Sequence, residues 1–208
     1  MTIDIIDCDL NNDYFHFTNK DNIYSILSDG LIPTIGTTSQ IVGDRPNVSV
    51  SKGGKGIMGI INSLIYKFST EISISEIPDV YRKYFTEISD FSSNNLIDKE
   101  IIYKAMIRKL KDEVYLRVEL DDEQLEKARI GGLTGYDINL PVRIDKSKIR
   151  VIPNSDNQVL SAYDVAKYIY ENAKDKEVFR IMHDDFFEMF EITEYEKDIH
   201  QDIMGKQK

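Results

Sequence analysis

Cysteine is almost missing from this chain of 208 residues, which contains only Cys8. A single cysteine cannot form an internal disulfide, so the sequence gives no reason to expect an oxidising compartment. Cys8 also lies between Asp7 and Asp9, and neighbouring carboxylates disfavour the thiolate form. Cysteine chemistry is therefore not expected.

Long apolar runs are also lacking. The most apolar stretch, residues 56–68, is interrupted by Asn62, Ser63 and Lys67 and is too short to cross a bilayer. Residues 1–10 have neither the basic region nor the apolar run of a signal peptide. We therefore expect a cytoplasmic protein with no membrane partner.

Positive charge is scarce. Lysine and arginine number 26 against 36 aspartates and glutamates, and the net charge is −10. An acidic chain repels phosphate backbones, so general nucleic-acid binding is not expected. The lysines and glycines of residues 52–56 are a local exception, and they suit a site for one nucleotide.

The rest of the composition is that of a globular protein, with 41% hydrophobic and 30% charged residues. Alternating or β-branched segments predict strands at 14–18, 47–51, 114–120, 138–144 and 148–152. Helical spacing predicts helices at 22–28, 57–68, after Pro78, after Asp98, and at 163–172 and 177–190. Residues 31–43 and 52–56 are predicted to be a loop and a turn, and 121–129 a short helix or turn.

Strands and helices do not alternate regularly in this order, which favours an α+β fold over a doubly wound sheet. We expect residues 1–208 to form one domain, with a core of 10–68 and 114–153. Residues 69–112 are predicted to be a helical insertion, and 158–195 a C-terminal helical extension. The insertion should form helices that pack beside the cleft of the site and not a separate domain, because its apolar residues need a partner surface and no flexible linker flanks it.

Three short segments carry the candidate chemistry. The first is His16-Phe17-Thr18, followed by a helix of pattern N-x-x-x-I-L-x-x-G-L that ends at Gly30 and Leu31. The second is residues 48–53, with the sequence VSVSKG. The third is residues 137–144, with the sequence DINLPVRI.

Together these segments resemble the ADP-ribosyltransferase-like superfamily, closely over residues 14–68 and loosely over 114–152. In that superfamily a strand with H-x-T precedes such a helix, a V-Y-F-S strand follows, and a late strand opens with a catalytic glutamate. The resemblance implies a split β-sheet core. It also implies that NAD is the substrate, and that ADP-ribose is transferred to a protein or nucleic-acid acceptor or NAD is hydrolysed.

The resemblance assigns roles residue by residue. His16 corresponds to the histidine that binds the ribose hydroxyl next to nicotinamide, and Thr18 to its hydroxylated partner. Ser51 corresponds to the end of the strand that lines the nicotinamide pocket, so His16 and Ser51 should open into one cleft. Lys52 and the amides near Gly53 are candidates for holding the pyrophosphate.

Asp137 stands where the superfamily has its catalytic glutamate, which stabilises positive charge as the glycosidic bond breaks. Aspartate is one methylene shorter, and a misplacement of about 1 Å can cost roughly a hundredfold in rate. Ser49 and Val50 also replace the aromatic residue of the second strand. We therefore expect slow turnover or none, with Glu119 as the alternative carboxylate.

Other interpretations remain open. The chain can be a non-catalytic module that binds protein or nucleotide on the same fold, or an NAD-dependent RNA 2′-phosphotransferase, although its acidity counts against the latter. His16 can also be a partly buried core residue between two phenylalanines, residues 51–54 a plain turn, and Asp137 the end of a turn. Residues 183–185 (HDD) do not predict a metal site, because adjacent helical residues point about 100° apart.

Overall fold

The computed structural model describes residues 9, 12–35, 46–69, 72–131, 137–154 and 156–172, with only the backbone described for 62–69, 130, 131 and 137. Six strands form one antiparallel sheet in the order β4-β5-β2-β1-β3-β6. They are β1 (Tyr14–Asn19), β2 (Val48–Lys52), β3 (Glu113–Val118), β4 (Arg129–Gly131), β5 (Asp137–Leu140) and β6 (Ile149–Val151). The helices are α1 (Ile23–Asp29), α2 (Gly53–Ser69), α3 (Asp79–Arg82), α4 (Lys99–Asp112), α5 (Asp122–Glu126) and α6 (Ala162–Asn172). The predicted α+β class is confirmed.

The sheet splits at its centre, between β1 and β2. β1 pairs with β3 along its whole length, from Tyr14↔Val118 to Asn19↔Glu113. Its pairing with β2 covers only Tyr14↔Lys52 and Phe15↔Ser51. β2 meanwhile continues to pair with β5 as far as Val48↔Leu140. The two halves of the sheet therefore separate beyond Phe15, next to His16.

Three long helices cover one side of the sheet, which we call the helical face. Residues of α2, α4 and α6 share one buried cluster with Phe15 of β1 and Tyr115 of β3. Ile77 and Phe85, from the segment before α4, lie in the same cluster. The segment predicted as a helical insertion therefore shares its apolar core with the strands, on the face opposite the cavity and not beside the cleft as predicted.

The opposite side, which we call the cavity face, carries a smaller cluster. Val48 and Val50 of β2 pack there with Leu116 of β3 and with Ile26 of α1. Gly30 ends α1 with a φ of 83°, a conformation that favours glycine. The backbones of Leu31 and Ile144 then exchange two hydrogen bonds of 2.9 Å, which tie the end of α1 to the segment after β5.

Local signals correctly predicted several elements. The predicted helix at 22–28 is α1 with Gly30 at its end, and Asp98 caps α4 by accepting from the amide of Glu100. The prediction of a turn at 52–56 is wrong, because α2 begins at Gly53. A Cβ on Gly56 would lie 2.7 Å from the Ser51 Cβ, so glycine lets the first turn of α2 pack onto β2.

Two further differences concern the second half of the sheet and the end of the chain. β4 was not predicted, and the predicted strand 138–144 ends at Leu140 in β5. The predicted helix at 163–172 is α6, whereas the helix predicted at 177–190 lies outside the described residues. Within the part of the chain that the structure describes, no helix is long and apolar enough to span a membrane.

Candidate functional site

His16 lies where the two halves of the sheet separate. Its Nδ1 is 2.8 Å from the backbone carbonyl oxygen of Ser49 on β2. A carbonyl oxygen only accepts hydrogen bonds, so we assign the proton to Nδ1, which donates to Ser49. No other described residue forms a hydrogen bond with the ring, which leaves Nε2 as a free acceptor.

The charge state of His16 follows from its surroundings. Burial lowers the pKa of His16 below the ordinary histidine value, and the hydrogen bond to the Ser49 carbonyl opposes this only in part. The ring is therefore neutral near pH 7. A neutral ring fixed through Nδ1 presents a lone pair at Nε2, which suits a hydroxyl donor on a ligand.

A second contact holds Ser49 in position. The Ser49 hydroxyl donates to the side-chain oxygen of Asn139 on β5, at 2.7 Å. Ser49 and Asn139 are also backbone partners in the β2–β5 ladder. Ser49, whose carbonyl orients His16, is therefore held in position by β5.

His16 opens into a cavity of about 300 Å³ on the cavity face. Thr18 lines it from β1, and Asn22, Ser25 and Asp29 line it from the helical segment that follows. Apolar walls come from Ile26, Leu31, Ile32 and Val48. A few polar groups set among apolar walls are typical of a small-molecule site.

Short-range hydrogen bonds hold the polar wall of the cavity. Asn22 donates from its side chain to the Thr18 hydroxyl at 3.1 Å. Ser25 donates in turn to the Asn22 carbonyl at 3.0 Å. Thr34 and Asn47 close the cavity from the opposite side, where their backbones exchange hydrogen bonds of 3.1 and 3.0 Å.

Ser51 does not share this cavity, and the expectation of one cleft for His16 and Ser51 is wrong. Ser51 is the backbone partner of Phe15, and side chains of adjacent strand residues point to opposite faces. Its side chain is buried, with the first turn of α2 packed beside it. The resemblance required His16 and Ser51 to line one cleft, and the structure does not place them in one.

The proposed pyrophosphate residues also lie elsewhere. Lys52 is exposed, and its Nζ lies 5.8 Å from the centroid of the Tyr14 ring. The amide of Gly53 donates to the Asp13 carbonyl at 2.9 Å, so it is already used. Neither residue lines the cavity.

The two candidate carboxylates belong to different halves of the sheet. Asp137 is the first residue of β5, and its backbone pairs with Ser51 across β2. Glu119 follows the end of β3, is exposed, and donates its amide to the Lys148 carbonyl at 2.9 Å. Glu119 is not among the residues that line the cavity.

Sequence reasoning missed much of the polar wall. Residues 22, 25 and 29 are spaced by three and four along the chain, so they share one face of α1 and the turn before it. Ile26 belongs to the same stripe and is its buried apolar member, so this face combines polar and apolar cavity walls. The same helical periodicity that predicted α1 therefore also contained the signal for these residues.

Metal binding finds no support in the described part of the chain, where no three His, Cys, Asp or Glu side chains are grouped to hold an ion. Residues 183–185 lie outside it.

Comparison of the chain with protein-family models, curated proteins and solved structures finds no match.

Proposed function

We propose that this chain binds NAD with one ribose in the His16 cavity, and that it transfers ADP-ribose to an acceptor or hydrolyses NAD slowly. The observation that supports this most is His16 itself. It is a neutral histidine, oriented by a strand carbonyl at the split in the sheet, with Nε2 free to accept from a ribose hydroxyl.

The size of the cavity bears on what it holds. A volume of about 300 Å³ lies at the lower end of the range for small-molecule sites. It suits a nucleoside and is small for a complete dinucleotide. The remainder of NAD would therefore extend out of the cavity along the open split.

The reaction breaks the bond between C1′ of the ribose and the nicotinamide nitrogen, and the bonding electrons leave with nicotinamide. A nucleophile from the acceptor or from water then bonds to C1′ and loses its proton. Positive charge develops on the ribose, so a nearby carboxylate stabilises the transition state selectively. We assign this role to Asp137, although its backbone partner Ser51 lies on the face opposite the cavity. This register and the short side chain of Asp137 are both consistent with slow turnover or none.

A second candidate function is nucleotide binding without catalysis on the same fold. The specific observation in its favour is that Ser51 and the Gly53 amide are engaged in packing and backbone bonding. An RNA 2′-phosphotransferase is less well supported. No lysine or arginine is among the described residues that line the cavity, so it suits a ribose better than a phosphate, and the pyrophosphate of NAD would lie outside it.

The test combines calorimetric titration of NAD with an assay for nicotinamide release. We expect millimolar or tighter binding to the wild type and at least tenfold weaker binding to His16→Ala. Binding should be unchanged in the control Thr86→Ala, at an exposed residue that does not line the cavity. Asp137→Ala should abolish nicotinamide release with little effect on affinity, and Asp137→Glu should raise the rate.

Three results would count against parts of the proposal. Fast release that survives Asp137→Ala would move the chemistry to another carboxylate, with Glu119 tested next. Binding without release in every variant would favour the non-catalytic module. Absence of NAD binding at millimolar concentration would rule out the nucleotide site.

A further inference from the structure

The polar wall of the His16 cavity offers mainly hydrogen-bond acceptors. Nε2 of the neutral His16 ring is one of them. The Asn22 amide donates to the Thr18 hydroxyl through its nitrogen, so its Oδ1 is left as a second acceptor. The Ser25 hydroxyl donates to the Asn22 carbonyl, and its own lone pairs are a third. A ligand that satisfies this wall has to bring O–H or N–H donors.

Groups that bind anions are lacking among the described residues that line the cavity. No lysine or arginine is present, and the one charged side chain is the carboxylate of Asp29. Several lining backbone amides already donate to backbone carbonyls at 2.8 to 3.1 Å, those of Gly30, Leu31, Thr34 and Asn47. A phosphate binds through cations or through free amides. Inside this cavity it would lose its hydration without replacement.

The size and the apolar part of the cavity narrow the ligand further. A volume of about 300 Å³ suits a nucleoside, and apolar side chains of Ile26, Leu31, Ile32 and Val48 line it beside the polar wall. A nucleoside has both parts that such a cavity needs, because its ribose carries hydroxyl donors and its base has apolar faces. A free sugar lacks the apolar part, and a nucleotide adds a charge for which the described wall has no partner.

We propose that the His16 cavity selects unphosphorylated nucleosides over nucleotides. The ribose hydroxyls donate to the acceptors of His16, Asn22 and Ser25, and the base lies against the apolar wall. The inference rests on the proposed function in one respect, the placement of a ribose at His16. It deepens that function by assigning the affinity for NAD to one nucleoside half, with no contribution from the pyrophosphate outside the cavity.

The experiment is calorimetric titration of the full chain with two pairs of ligands, nicotinamide riboside with its mononucleotide, and adenosine with AMP. Each pair differs only by the 5′-phosphate. We expect each nucleoside that binds to do so at least fivefold more tightly than its monophosphate, and nicotinamide riboside or adenosine to bind at least as tightly as NAD. His16→Ala should weaken nucleoside binding at least tenfold.

A lysine introduced at the cavity provides the matched test. Ile32 lines the cavity and is 56% exposed, so Ile32→Lys adds a cation there with little loss of packing. It should remove or reverse the preference for the nucleoside. Ile35→Lys is the control, because Ile35 is 45% exposed, lies three residues later and does not line the cavity. It should leave the preference unchanged, and thermal unfolding checks that both variants fold.

Equal or tighter binding of the monophosphates to the wild type would overturn the proposal, as would an equal change of preference in the two lysine variants. If NAD binds far more tightly than both nucleosides and His16→Ala weakens it, this inference fails and the proposed function survives. If the nucleosides bind and NAD does not, the proposed function fails and this inference stands. If no ligand binds at millimolar concentration, both fail.

Discussion

The two faces of the sheet are built for different tasks. On the helical face, 21 of the described residues form one buried cluster under three long helices. On the cavity face, 10 form the corresponding cluster, and the short helix α1 stands over a cavity of about 300 Å³. The helical face buries more apolar surface, so the hydrophobic effect contributes more to stability there.

The difference also appears in the polar groups that each face buries. The helical face contains an ion pair between Lys109 and Glu113, enclosed by aromatic rings that include Phe17 and Tyr84. The cavity face instead exposes His16 and Asp29 to the open space of the cavity. The charges on the helical face are paired with each other, although one Glu113 oxygen, Oε2, is buried without a hydrogen-bond partner among the described residues. The polar side chains of His16 and Asp29 line the cavity instead, where a ligand can contact them.

The largest expected effect is loss of stability from a truncation on the helical face. Phe85 is 1% exposed, and Phe85→Ala should lower the free energy of unfolding by about 3–5 kcal/mol. Urea unfolding measures the loss. Leu96→Ala, in the same segment but at a residue 61% exposed, should cost less than about 0.5 kcal/mol. Similar losses in the two variants would contradict the assignment of this segment to the core.

The next effect comes from the buried ion pair. Lys109→Met leaves the Glu113 carboxylate buried without its cation and should cost about 3 kcal/mol. Burial already raises the pKa of Glu113, and Lys109 opposes that rise. Without Lys109 the pKa should rise further, so the variant should lose stability as the pH increases above the ordinary glutamate value.

The control for this pair is the double variant Lys109→Met/Glu113→Leu. With both charges replaced by apolar side chains, most of the lost stability should return, to within about 1 kcal/mol of the wild type. Urea unfolding of both variants at pH 5 and pH 8 makes the comparison. A single variant as stable as the double at pH 8 would show that the pair is not buried as described.

A smaller effect is expected where α1 joins the cavity face. Gly30→Ala places a Cβ against the Ile144 carbonyl at a φ of 83°, and should cost about 1–3 kcal/mol. Because Gly30 also lines the cavity, NAD should bind more weakly to this variant. Ser28→Ala is the control, and thermal unfolding together with titration gives both readouts. Unchanged stability in Gly30→Ala would show that α1 ends differently.

The smallest effect is a pH dependence from His16. Its folded pKa is lowered, so the unfolded chain binds the proton more readily and stability falls as the pH drops below about 6.5. His16→Gln should show a weaker loss than the wild type between pH 7.5 and 5.5. Urea unfolding at several pH values detects the difference. Parallel curves for the two proteins would mean that His16 titrates normally.

Local signals in the sequence were sufficient for elements that end in a recognisable cap. Gly30 ends α1 and Asp98 begins α4, as their positions after and before apolar periodic segments predict. The start of α2 was missed because glycine has low helix propensity, which here is overridden by packing of Gly56 on Ser51. β4 has only three residues, too few for a period to be recognised.

The geometry of the candidate site depends on how the strands pair, which short sequence patterns do not reveal. His16 and Thr18 were identified from their motif, and both line the cavity. Ser51 was placed in the same cleft, but the face on which it lies is set by its register with Phe15, and a shift of one residue reverses the face. Whether His16 binds a ribose and Asp137 acts in catalysis remain predictions.

The most direct test is long-range ¹H–¹⁵N NMR of the histidine rings, with NAD added. The chain contains three histidines, and His16→Gln assigns the signals of His16. We predict a neutral ring at pH 7 with the proton on Nδ1, and a shift of the Nε2 resonance as NAD binds. A charged ring, a proton on Nε2, or an Nε2 resonance that NAD does not move would contradict the account.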